Sequence, residues 1–308
     1  MNFLECLANG QRMILDGPMG TELARRGVNL SLPLWSAVAI GENPAIIQTI
    51  HTDYINADID IITSNTFRTD TRTFKKAGLT GDDARLATFQ AVELARNIVD
   101  NASQNKPIWI AGSMSPLEDC YRPDLSPYVD SALKEHREKA RWLADAGVDL
   151  ILIETMNNLQ EANAAVQAAI ETKLPVAVSF ILIDKDHILN GDKIIEAYDQ
   201  LKDTGICLFS INCCHYQIIS DFIKNNMHKI HLPLMVYPNA DHYNSVTGWK
   251  TDPEFTPHNY SKIATSWFEE GVRIIGGCCG TDPEYIRHIQ CNCYLLVDTK
   301  KRVNSIVY

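Results

Sequence analysis

Short apolar runs and longer amphipathic stretches alternate along this chain. Eight β-rich runs read as strands: "RMILDG", "DIITSNTF", "PIWIAGS", "DLILIET", "PVAVSFI", "CLFSINC", "PLMVYPN" and "RIIGGCC". Between them lie helical patterns such as "ARLATFQAVELARNIVDNA", "SALKEHREKARWLADAG" and "LQEANAAVQAAIETK", with acidic or polar residues early and Gly or Pro near several ends. No Pro/Gly/Ser linker divides the series. Eight βα units predict a single (β/α)8 TIM-type barrel across 1–308, with 291–308 a C-terminal tail of unassigned structure. An open doubly wound sheet is the alternative. Eight units of similar length, and no complete G-x-G-x-x-G after any strand, favour closure.

A closed barrel gathers the C-terminal ends of its strands onto one rim, where active sites of this architecture sit. Asp16-Gly17, Ser64-Asn65, Glu154-Thr155, Asn212-Cys213, Tyr237-Pro238-Asn239 and Cys278-Cys279 all fall at those ends.

Composition narrows the class of function. A formal net charge of -10 and no long Lys/Arg block argue against a dedicated nucleic-acid or anionic-membrane surface. No window reaches ~18 uninterrupted apolar residues, and the start "MNFLECLANGQRMILDG" lacks the basic region and cleavage site of a secretory signal, so a cytoplasmic protein is expected. Nine cysteines, an odd number in a chain of 308 residues, suggest reduced thiols or metal ligation rather than a disulfide framework.

The cysteines of "CLFSINCCHY" and "RIIGGCCG" reach the same rim from two separated strands. Soft sulfur ligands select zinc among common ions, and three protein ligands with one open position mark a catalytic site. Neighbours within a regular strand face opposite sides, so Cys278 and Cys279 need a coil to share an ion, and Gly276-Gly277 offer one. By the same alternation only one of Cys213 and Cys214 points to the rim centre, and Cys213 is chosen. Spacing alone leaves these thiols open between ligands and small buried hydrophobes. Cys291 and Cys293 of "CNC" lie beyond the last strand with no evident partners.

"DGPMGTEL", "ITSNTF", "LIET", "INCC" and "GGCCG" occur in the order found in the zinc-dependent homocysteine S-methyltransferase family, which the chain resembles from about Met13 to Glu284. The resemblance implies a Zn2+ cofactor held by Cys213, Cys278 and Cys279, with the thiol of homocysteine taking the fourth position. It implies acceptor binding by Asp16, the Gly17 backbone and Glu154, with Asn65 and Asn212 as rim contacts. The implied reaction is methyl transfer from a small donor to homocysteine sulfur, giving methionine.

"LWSA…ENP" and "VYPNADHY" resemble the S-methylmethionine-using branch more than the betaine-using one. Trp35 can offer an aromatic face to a sulfonium, and Tyr237 and Asn239 complete a candidate donor pocket. S-adenosylmethionine is the second donor considered, and betaine the third. Another thiol acceptor, or a non-catalytic zinc- or ligand-binding barrel, are the rival readings.

The match weakens in "AGSMSPLEDCYRPDLSP", where many family members carry Gly at the position of Ser115 and a longer, glycine-rich loop. His215 is either an outer partner of the metal site or a surface helix residue. Oligomeric state is not readable from one sequence.

Overall fold

The computed structural model describes residues 1–102, 106–244 and 248–292. In chain order its strands are β1 (Met13–Ile14), β2 (Ile61–Thr63), β3 (Trp109–Met114), β4 (Leu150–Met156), β5 (Val176–Phe180), β6 (Leu208–His215), β7 (Leu234–Asn239), β8 (Asp241–Asn244), β9 (Gly248–Thr251) and β10 (Ile274–Ile275). Eight of them form one parallel sheet in the order β1-β10-β7-β6-β5-β4-β3-β2. A parallel bridge between Leu15 and Ile61 joins the two ends. The result is a (β/α)8 barrel, and each strand run read from the sequence supplies one of its staves. The antiparallel β8–β9 hairpin is an addition to that reading.

The helices form for local reasons. Gly81–Asn101 starts at a capping box between Thr80 and Asp83, and buries Ala84, Ala87, Thr88, Ala91, Val92 and Ala95 along one face. Leu159–Ile170 starts where the Asn158 side chain accepts from the Glu161 amide. No helix among the described residues is long and apolar enough to cross a membrane. Residues 283–292 are helical, so the expected tail begins inside a helix, and from 293 onward it lies outside the described residues.

Strand alternation sorts the core into two shells. Met13, Leu15, Ile61, Ala111, Leu150, Leu152, Ala177, Leu208, Met235 and Ile274 fill the barrel, with Phe3, Cys6 and Leu7 from the first helix packed against them. Their neighbours Ile14, Ile62, Ile110, Ile151, Ile153, Val178, Phe209, Ile211 and Val236 pack outward against the helical layer. Continued towards the C-terminal ends, the inward parity turns polar at Ser113, Glu154, Ser179, Asn212 and Tyr237. That polar layer is the floor of the rim.

Candidate metal centre and its rim

The sulfur atoms of Cys213, Cys278 and Cys279 all lie within 4.8 Å of one another. Parity alone would send Cys213 outward with Phe209 and Ile211. Two irregularities override it: a bulge between Asn212 and His215, and a left-handed backbone at Cys213 with φ 56°. Such a φ is costly for a residue with a side chain, so the surroundings must hold it. Asn239 at the end of β7 does so, donating from Nδ2 to the Cys213 carbonyl at 3.0 Å. Cys214 stays buried in apolar surroundings that push its thiol up to about 12.

Cys278 and Cys279 follow β10 in irregular backbone. The Cys278 amide donates to the Pro238 carbonyl at 2.8 Å, and the Cys279 carbonyl accepts from the Ala240 amide at 2.8 Å. From the other side, Arg25 donates to the Thr281 carbonyl at 2.8 Å. The glycines before the pair serve close approach rather than unusual torsion. A Cβ on Gly276 would lie 2.7 Å from Leu15 Cβ and 2.8 Å from the Asp16 carbonyl oxygen, and neither Gly276 nor Gly277 has a positive φ.

Within the cluster, hydrogen bonds from Cys278 and Cys279 depress the Cys213 thiol well below its ordinary value, and the same hydrogen bonds to Cys213, with burial, raise the other two. The Tyr121 hydroxyl also reaches this cluster, 3.1 Å from Cys213 Sγ.

Two carboxyls occupy the same rim. Asp16 lies two residues after β1, where its Oδ1 accepts from the Thr63 hydroxyl and Oδ2 from the Thr63 amide, both at 2.8 Å. Glu154 continues the inward series Leu150, Leu152. It accepts from the Ser113 hydroxyl and, at 3.1 Å, from the Tyr237 hydroxyl. Burial raises Asp16 from 3.8 and Glu154 from 4.5, each to about 7, and each group's hydrogen bonds oppose the rise. Gly17 permits the turn after Asp16 to pass Tyr54, whose hydroxyl would lie 2.6 Å from an added Cβ.

The remaining expected residues are placed less directly. Asn212 is fully buried. Its Oδ1 accepts from the Thr155 amide at 3.0 Å and the Ser179 hydroxyl at 2.7 Å, and its Nδ2 donates to the Thr155 hydroxyl at 2.8 Å. It thereby holds Thr155, which has a left-handed φ of 61° beside Glu154. Asn65 donates to the Ser36 carbonyl at 2.9 Å, fixing the loop that carries Trp35. Trp35 is 38% exposed and packs over Gly20, in the helix that follows the Asp16-Gly17 turn. His215 pairs with Asp252 at 3.1 Å and precedes the helix Tyr216–Asn226. Ser115 donates to the Phe67 carbonyl at 2.7 Å, pinning the loops after β2 and β3 together. Tyr121, Ser113 and Thr63 were not singled out by the sequence. Ser113 is accessible to inward parity, whereas Tyr121 comes from a loop whose path is set by distant contacts.

The profile of the homocysteine S-methyltransferase family matches residues 13–293. The chain belongs to the homocysteine S-methyltransferase family. It is 33% identical over 301 residues to homocysteine S-methyltransferase YbgG of Bacillus subtilis, covering 90% of this chain and 93% of that protein. It is 30% identical over 311 residues to selenocysteine methyltransferase of Astragalus bisulcatus, covering 91% and 92%. Among solved structures, the metallated form of the homocysteine methyltransferase MmuM from Escherichia coli superposes with a TM-score of 0.82 at 28% identity, covering 94% of this chain and 99% of that one.

This member of the homocysteine S-methyltransferase family carries a three-sulfur group that can hold a metal ion. The donor set fits a soft divalent ion: tetrahedral zinc–thiolate bonds of about 2.3 Å place sulfurs roughly 3.8 Å apart, within the spacing observed. Irregular backbone at all three cysteines lets residues from β6 and the loop after β10 converge without distorting the barrel.

Proposed function

We propose that this chain transfers a methyl group from a small sulfonium, S-methylmethionine first, to the sulfur of homocysteine at a zinc centre formed by Cys213, Cys278 and Cys279. The observation that carries this reading is the convergence of three thiols and two carboxyls on one barrel rim. Zinc held by Cys213, Cys278 and Cys279 would supply a Lewis acid that lowers the pKa of an added thiol, and its electron-rich shell would leave that sulfur nucleophilic.

The chain's residues then orient the acceptor. Glu154 and Asp16 face the rim as the groups to receive the ammonium of homocysteine, and their raised values fall when that cation arrives, because an opposite charge favours the carboxylate. Ser113, Thr63 and Tyr237 fix the carboxyl oxygens beforehand. Attack in line on the sulfonium methyl forms one S–C bond and breaks another. The donor leaves as a neutral thioether, so no strong general acid is required. The acceptor proton goes to solvent.

Trp35, Tyr237 and Asn239 form the proposed donor side, with the indole as the face for a cationic sulfur. S-adenosylmethionine and betaine rank below S-methylmethionine. Similarity to a selenocysteine methyltransferase favours a second reading in which a related thiol or selenol is accepted. Turnover of zinc-loaded protein with homocysteine and each donor tests the proposal. Methionine formed fastest from S-methylmethionine supports it, and faster turnover with betaine overturns the donor assignment.

A further inference from the structure

We infer that Tyr121 masks the Cys213 thiolate: its hydroxyl donates to Sγ, so that this ligand sulfur is a poorer nucleophile than the acceptor sulfur beside it. The inference rests on the metal-centre reading above. A centre that activates one sulfur for methylation carries three others that the same electrophile can attack. Methylating Cys213 would form an S–CH3 bond, break the bond from that methyl to its leaving group and turn an anionic ligand into a weak thioether. The metal would then be lost. A hydrogen bond to a thiolate draws charge from the sulfur lone pairs and is about twice as strong as one between neutral groups.

The geometry points to Tyr121 for this task. Its oxygen is 3.1 Å from Cys213 Sγ. A cysteine that ligates a metal through its thiolate has no proton to give, so at this distance the hydrogen runs from the phenol oxygen to sulfur. The loop that carries it is held at both ends by one buried carboxylate. Glu161 accepts from the Leu117 amide at 2.7 Å through Oε1 and from the Ser126 hydroxyl at 2.8 Å through Oε2, with His136 Nε2 3.3 Å from Oε1. Between those anchors Asp119 accepts from the Tyr121 amide at 2.9 Å, and Asn157 donates to the Cys120 carbonyl at 3.2 Å. Glu161 is only 1% exposed, and its helix follows β4, so the unit after β4 positions the loop after β3. Tyr121 is thus a positioning residue acting on the metal ligand.

The test uses cobalt(II)-loaded full-length protein and iodomethane, a methylating probe independent of the donor assignment. In Tyr121→Phe the sulfur-to-cobalt charge-transfer bands should move to lower energy. Iodomethane should add a methyl to Cys213, read by peptide mass, about tenfold faster than in wild type, with release of cobalt. Tyr128→Phe, on an exposed ring, should change neither. Should Tyr121→Phe not fold, Glu161→Gln, which releases the loop and keeps the phenol, is expected to move both readouts in the same direction. Unchanged bands and an unchanged methylation rate overturn the inference while leaving the centre standing. Wild-type protein that binds no cobalt overturns the metal-centre reading and this inference with it.

Discussion

At the end of β4 the strand alternation is kept to its last inward residue, Glu154, whereas at the end of β6 it is broken at Cys213 by a bulge and a left-handed φ of 56°. The two corners of the rim are fastened differently as well. Glu154 is held through its side chain by Ser113 and Tyr237, and the cysteines are held chiefly through their backbone by Asn239, Pro238 and Ala240. Side-chain fastening fixes the direction of the Glu154 carboxyl. Backbone fastening leaves the sulfurs to one another and, at Cys213, to the Tyr121 hydroxyl. The comparison also separates charge: hydrogen bonds from its two neighbours hold the Cys213 thiol well below its ordinary value, while burial raises both carboxyls to about 7.

The sharpest way to break this comparison is to remove a sulfur. Cys278→Ser should lower metal retention and turnover by more than about 100-fold, beyond the range for outer-shell partners. The stability of the metal-free protein should change by no more than about 1 kcal/mol, since the barrel core is untouched. Metal analysis alongside a thermal melt checks both. Glu154→Gln should do the reverse, keeping metal and weakening homocysteine binding by about 1.5–3 kcal/mol, the range for hydrogen bonds to charged groups.

The same substitution has a pH signature. Glu154 has its value raised from 4.5 to about 7 by burial, so the folded state holds the proton more tightly than the unfolded chain. Its contribution to stability is full below about pH 4.5 and is lost as pH rises through about 7. Glutamine carries no such loss, and either hydroxyl partner can rotate to accept from its amide. Metal-free Glu154→Gln should therefore gain about 1–3 kcal/mol over wild type at pH 8 relative to pH 4. Denaturant melts of both proteins at the two pH values decide the matter, and a difference between variant and wild type that is the same at pH 4 and pH 8 would contradict the assignment of a buried, raised carboxyl.

Smaller effects sharpen the sulfur corner. Asn239→Ala removes the donor to the Cys213 carbonyl and should weaken metal binding about tenfold, as measured by competition with a chelator. Cys291→Ser, at an exposed thiol away from the cluster, should alter neither metal content nor turnover.

The eight staves were legible because each is a short β-rich run between helical patterns. What alternation does not reveal is where it stops. Carried on from Leu208 and Asn212, it would select Cys214, and the bulge after Asn212 together with the left-handed turn at Cys213 reverses that choice. Cysteine has no preference for such a torsion, so the sequence contains no mark of it. Gly276 and Gly277 read as sources of backbone freedom, yet the close approach of Leu15, Asp16 and Thr281 explains them. Tyr121 reaches the cluster through a loop fastened by Glu161, 44 residues beyond Leu117, a contact no local pattern encodes. Cys293 lies outside the described residues.

The central claim is that three cysteine sulfurs hold zinc and leave one position for the acceptor. X-ray absorption at the zinc edge, recorded on the loaded protein before and after homocysteine, tests it most directly. The bound zinc should show three sulfur neighbours, rising to about four, the tetrahedral limit, when homocysteine is added. A sulfur count that stays fixed under saturating homocysteine, or that starts below three, would contradict it.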